Sequence, residues 1–150
     1  MSDIPRMYHG DLRLILAMRE PYLSQLLSGE KTVEVRRTRP TNRVLWQACS
    51  LRLYLYKGGY IHGFVDVKRI NELDEIKSLC NWQDVCKAAC LTDQEMEQYL
   101  EGADKNRVAL YEVGNPSRYK KPHKFGTIVQ SWIYADQDFI HRADSWEVEA

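Results

Sequence analysis

The sequence predicts an α+β fold, a mainly antiparallel sheet of about five or six strands with an early helix and a helical insertion. Three patterns carry that reading. Leu51, Leu53 and Leu55 alternate with Arg52, Tyr54 and Tyr56, the period of two that belongs to a strand. Tyr22, Leu23, Leu26 and Leu27 recur at helical spacing and give a short helix one apolar face. Between Asn71 and Gly102 the spacing is helical again, with Trp82, Val85, Cys86 and Ala89 on one stripe.

In chain order, Leu12–Met18 (LRLILAM) reads as a first strand, short and rich in branched residues. Pro21 suits a first helical turn, where its missing N–H has no partner to lose. Gly29 suits the left-handed conformation that closes the helix. Thr32, Val33, Glu34 and Val35 then have the alternation of a strand with one buried face. Arg37–Ser50 is expected to be a loop. After the leucine–tyrosine strand, Gly58-Gly59 makes a tight hairpin turn, and Tyr60–Ile70 returns. Gly63 inside that strand marks a bulge or a close approach. Thr92 and Glu95 form a capping box at the start of the last helix of the insertion. Arg107–Val113 is a strand, Gly114–Phe125 a loop with two prolines, and Thr127–Tyr134 a final strand. The leucines of Leu51–Leu55 are expected to face the core, the two tyrosines the other face. The acidic stretch from Asp136 onward has little in its sequence to hold it. Such a sheet tends to close into a small barrel and so remove its edges.

With 150 residues, 44% hydrophobic and 28% charged, the chain is expected to be one folded domain with a core of its own. No run approaches the roughly 20 apolar residues of a membrane span. The first residues lack the apolar core of a secretory signal, so a cytoplasmic protein is expected. Cys49, Cys80, Cys86 and Cys90 form no C-x-x-C pair, and the expectation is reduced, partly buried thiols without metal. No G-x-S-x-G, H-E-x-x-H or P-loop occurs, and no cofactor is expected.

Formal net charge is zero, yet its distribution is uneven. Lys31, Arg36, Arg37, Arg39 and Arg43 face a single acid, Glu34, within one stretch. Arg118, Lys120, Lys121 and Lys124 form a second basic cluster beside His123. Between Glu72 and Asp104, nine acids outweigh Lys77 and Lys87. A neutral chain of this kind still presents a basic face to a polyanion.

The densest stretch is Pro21–Arg36, PYLSQLLSGEKTVEVR. Pro21, Tyr22, Gly29, Lys31, Glu34 and Arg36 resemble the ASCH domain of the PUA-like superfamily, with its aromatic after proline and its G-x-K-x-x-E-x-R. Leu53–Gly63 (LYLYKGGYIHG), Leu91–Gly102 (LTDQEMEQYLEG), Pro122 and the QSWIY run from Gln130 echo later family segments in the same order. The resemblance implies a PUA-like β-barrel and binding of RNA, a nucleotide or a nucleoside. The superfamily also includes small amidohydrolases that deacetylate modified cytidine. Their lysine position matches Lys31 and their helix glutamate falls on Glu95, while Glu34 stands where they have threonine.

A lysine acting as base or nucleophile near pH 7 must lose roughly three pK units, or about 4 kcal/mol. Burial and Arg36 push Lys31 that way and Glu34 opposes it. The bland alternative is a Lys31–Glu34 ion pair at a pocket rim, with Glu95 serving only as a cap. Two functions therefore compete. In one, an RNA- or nucleotide-binding module uses Arg36, Arg37, Arg39 and Lys120 with Lys121 on phosphates, Tyr56 or Trp132 stacking a base and Ser131 facing the pocket. In the other, a hydrolase of a modified nucleoside or RNA uses Lys31 and Glu95 as base and acid, beside Glu34.

Overall fold

The computed structural model describes residues 11–38 and 50–150. Arg39, Arg43 and Cys49 therefore lie outside the described residues, with most of the predicted loop. The strands are β1 (Asp11–Ala17), β2 (Val33–Arg36), β3 (Ser50–Lys57), β4 (Tyr60–Glu72), β5 (Ala109–Lys124) and β6 (Trp132–Tyr134). The helices are α1 (Tyr22–Ser28), α2 (Leu73–Leu79), α3 (Trp82–Ala88), α4 (Asp93–Leu100) and α5 (Gln137–Ala143).

The strands form one six-stranded sheet in the order β2-β5-β4-β3-β1-β6. Only β1 and β3 run parallel; the remaining pairs are antiparallel. The sheet curls into a half-barrel, and with the helices it makes the α+β fold that the sequence predicts. β2, at one end of the sheet, approaches β1, next to the other end, through Arg36, whose Nη2 donates to the Ala17 carbonyl at 2.8 Å.

Both faces of the sheet are covered. Leu51, Leu53 and Leu55 meet Leu12, Leu14 and Leu16 of β1, and Leu23, Leu26 and Leu27 of α1 lie over them. The opposite face of β3 carries Tyr54 and Tyr56, packed with Ile15 against Phe139 and Ala143 of α5. A third apolar cluster joins Val33 and Val35 to the insertion through Ile76, Val85, Cys86 and Met96.

Four expectations need correction. β4 continues to Glu72, so the helical insertion begins at Leu73 and consists of three short helices. The predicted loop Gly114–Phe125 is mostly strand, because β5 runs to Lys124 against β4 with register shifts that absorb its two prolines. The final strand is confined to Trp132–Tyr134. The acidic stretch after Asp136 is ordered by a helix, in which Asp136 Oδ1 accepts from Phe139 N–H at 2.8 Å and Phe139 is buried under the tyrosine face.

Gly63 in β4 is a position where backbone leaves no room for a side chain. A Cβ there would lie 2.2 Å from the Ser117 carbonyl oxygen, so β4 and β5 touch backbone to backbone beside a register shift.

Candidate functional site

The site is built where α1 hands over to β2. Gly29 closes α1 with φ 85° and its N–H donates to the Leu26 carbonyl. The chain then threads between two helix ends: Lys31 N–H donates to the Gln25 carbonyl and Thr32 N–H to the Ala88 carbonyl, each at 2.9 Å. Because β2 begins only at Val33, Lys31 is not bound by strand alternation to the side of Val33 and Val35. Its side chain instead joins those of Glu34 and Arg36.

These three charges are buried, with Lys31 only 3% exposed. Lys31 Nζ lies 3.7 Å from Glu34 Oε1 and donates to the Ala89 carbonyl. Arg36 Nε lies 2.9 Å from Glu34 Oε2, though its N–H is not aimed for a hydrogen bond, so the attraction is one of charge. Two cations thus share one anion. Burial pulls the Lys31 ammonium below its ordinary value of 10.5; Glu34 and Cys90 oppose the shift and Arg36 adds to it. The Lys31–Glu34 ion pair considered above forms, and it is buried.

The triad floors an open cleft of about 760 Å³, within the size range of small-molecule sites. Tyr22 forms one wall, its ring centroid 5.3 Å from Lys31 Nζ and 5.8 Å from Arg19 Cζ. The facing wall is α4, which presents Glu95, Gln98 and Tyr99. Tyr99 OH donates to the Val35 carbonyl at 3.1 Å, tying that helix to β2, and burial raises its phenol above the usual value. Glu95 Oε1 accepts from Thr92 N–H at 2.9 Å and Thr92 Oγ1 from Glu95 N–H at 3.1 Å, so the capping box forms and its glutamate still borders the cleft.

The ASCH domain family matches residues 16–132, which takes in the end of β1, α1, the triad, the whole insertion and the first residue of β6. The chain belongs to the ASCH domain family. No curated protein matches the sequence. Among solved structures, the chain is similar to crystal structures of an ASCH protein from Zymomonas mobilis. One is the unmodified protein, at 19% identity and TM-score 0.70 over 89% of this chain and 94% of that one. A serine-to-alanine variant gives 17% identity and TM-score 0.70 over 92% and 96% of the two chains. A tyrosine-to-phenylalanine variant gives 18% and 0.69 over 89% and 96%. At such identities the likeness concerns the fold.

Within this ASCH domain the predicted residues separate into groups. Lys31, Glu34, Arg36 and Glu95 converge on one cleft. Arg37 is exposed beside it, Nη2 donating to the Glu101 carbonyl at 3.2 Å. Ser131 borders the cleft strand β1, its carbonyl accepting from Ala17 N–H at 3.0 Å and its Oγ 3.4 Å from Thr38 Oγ1. Trp132 pairs with Leu16 and packs on the leucine core, edge-on to Tyr134. Tyr56 is elsewhere: it is buried on the opposite face, and its OH donates to the Gly126 carbonyl at 2.6 Å. A stacking role for Tyr56 is corrected on that ground, since its ring is already packed against Phe125.

Sequence reasoning did not foresee Tyr22, Gln98 and Tyr99 as cleft residues. Tyr22 was legible as an aromatic beside a proline, but its helical spacing assigned it to the apolar stripe. Gln98 and Tyr99 share a helix face with Glu95 at three- and four-residue spacing, which is the signal that would have found them.

Proposed function

We propose that this ASCH domain binds RNA or a nucleotide by seating one nucleoside unit in the cleft. Tyr22 stacks the base, while Lys31 and Arg36 receive a phosphate or carbonyl oxygen. The observation that carries this reading is the buried triad, in which two cations share one anion on the floor of a cleft with an aromatic wall. A surplus positive charge held away from water attracts an anionic ligand more strongly than an exposed one does. An exposed Arg37 at the rim supplies a further phosphate contact, and Arg39 follows it in sequence.

Anisotropy titrations with labelled oligouridine RNA at several salt concentrations test this. Binding should weaken steeply with salt, and Arg37→Glu with Arg39→Glu should flatten the slope by roughly two units. Tyr22→Leu should weaken binding by about ten-fold or more, the usual cost of one lost stacking contact. Absence of binding to RNA and to mononucleotides at low salt would overturn the reading.

A second reading is carried by a specific convergence: the lysine whose charge is disfavoured by burial shares the cleft with Glu95. In that reading the cleft hydrolyses an acylated nucleoside or RNA, Lys31 taking a proton from the attacking group and Glu95 exchanging one with the leaving group. Turnover of acylated cytidines or short RNAs by the parent, lost in Glu95→Gln, would establish it. Equal turnover in both would clear Glu95, because an amide cannot exchange the proton.

A further inference from the structure

Past Glu112, β5 parts from β2, which pairs only with Ala109–Glu112. The outer edge of its far arm carries a short extended segment, Glu147–Glu149. Lys120 N–H donates to the Glu147 carbonyl at 2.9 Å, Glu149 N–H donates to the Arg118 carbonyl at 2.7 Å, and Val148 bridges Tyr119 in antiparallel register. The segment is acidic and the strand beneath it is basic, with Arg118, Lys120, Lys121 and Lys124 along the arm. Glu147 and Glu149, at i and i+2 of an extended chain, project to one side.

The hold on this segment is uneven. Trp146 is anchored: its ring stacks on His123 at 4.0 Å and 3°, and meets Tyr119 and Phe139 edge-on. Beyond Trp146 the two main-chain bonds remain, with one ion pair, Lys120 Nζ to Glu147 Oε2 at 3.0 Å. The side chains of that pair are 61% and 75% exposed, and such pairs contribute little. The arm's four cations also outnumber the segment's two acids.

We propose that the far arm of β5 is a second contact surface for an RNA backbone, and that Glu147–Glu149 is a displaceable acidic strand competing for it. The inference rests on the RNA-binding reading above. β5 starts opposite Arg36 at the cleft, and Arg118 lies at most about 30 Å further along the strand, a span of a few nucleotides. RNA seated in the cleft therefore reaches the arm, where phosphates take the places of the two carboxylates. A protein strand would satisfy the open edge but leave the surplus positive charge unmatched, which is why a polyanion is the better occupant.

Labelled oligouridine RNA and amide exchange test the proposal on the full chain. Glu147→Gln with Glu149→Gln should raise affinity about three- to ten-fold and steepen its salt dependence. Adding Lys120→Gln and Lys121→Gln should cancel the gain. Glu75→Gln with Glu97→Gln removes the same charge from α2 and α4 and should leave affinity unchanged. In the parent, RNA should speed exchange of the Lys120 and Glu149 amides. If the parent binds RNA but unmasking has no effect, or the control pair raises affinity equally, the arm is no contact surface and the cleft reading stands alone. If an acidic peptide, and not RNA, deprotects those amides, the edge docks protein and the proposal is overturned. If no variant binds RNA at low salt, the proposal and the function it rests on fail together.

Discussion

Among the described residues, Glu34 is the sole carboxylate paired with Lys31, 3.7 Å away, and Arg36, 2.9 Å away, and all three side chains are buried. Its removal leaves two buried cations without a counter-charge; removal of Lys31 costs the Ala89 carbonyl one donor but leaves no charge unpaired, because Glu34 keeps Arg36. Glu34→Gln should therefore destabilise the protein by about 3 to 5 kcal/mol, the range for orphaning a buried charge. Lys31→Met, which roughly conserves volume, should stay within about 1.5 kcal/mol of the parent. Urea melts of the two variants decide it, and the reverse order would show that Lys31 holds the cluster together.

Lys31 also gives stability a pH dependence of known sign. Burial lowers its native pKa below 10.5, so between that lowered value and 10.5 the unfolded chain binds more protons than the native one. Stability attributable to this group therefore rises with pH across that window and levels off above 10.5. The parent should gain on Lys31→Met as melts are repeated at rising alkaline pH. A constant difference would mean that Lys31 titrates alike in both states.

Tyr56→Phe should cost about 1 kcal/mol, the usual worth of one buried hydrogen bond, here the 2.6 Å bond to the Gly126 carbonyl. Affinity for RNA should not change, since the ring lies on the face away from the cleft. Thermal melts and anisotropy read the two effects separately, and weakened RNA binding at unchanged stability would return Tyr56 to the interface.

Gly63→Ala should destabilise by about 1 to 3 kcal/mol, because its Cβ would meet the Ser117 carbonyl oxygen at 2.2 Å and force β4 from β5. Loss of amide protection should centre on the Gly63–Arg118 pairing. An alanine variant as stable as the parent would show that the two strands separate there without cost.

The parts of this protein legible in its sequence are those set by near neighbours. Gly29 closes α1, Thr92 and Glu95 cap α4, and Leu51–Leu55 alternate, because each depends on backbone chemistry within a few residues. β5 was hidden by Pro116 and Pro122, which read as loop residues. Both are tolerated because β2 leaves that edge of β5 after Glu112 and the register against β4 shifts around them. α5 was obscured by its charged neighbours, although Asp136 as a cap and Phe139, Ile140 and Ala143 at helical spacing were present as signals. The cleft itself depends on how far the insertion stands from the sheet, a distance no local pattern encodes. That is why Lys31, Glu34, Arg36 and Glu95 were readable as candidates while the wall made by Tyr22, Gln98 and Tyr99 was not.

The tie from Tyr99 OH to the Val35 carbonyl joins the insertion to the sheet. The sheet and its preceding turn supply the charges, Lys31, Glu34 and Arg36; the insertion supplies the opposing wall. The insertion also grips the floor, where Thr32 N–H donates to the Ala88 carbonyl and Lys31 Nζ to the Ala89 carbonyl, so any shift of its three short helices moves the wall and the lysine together.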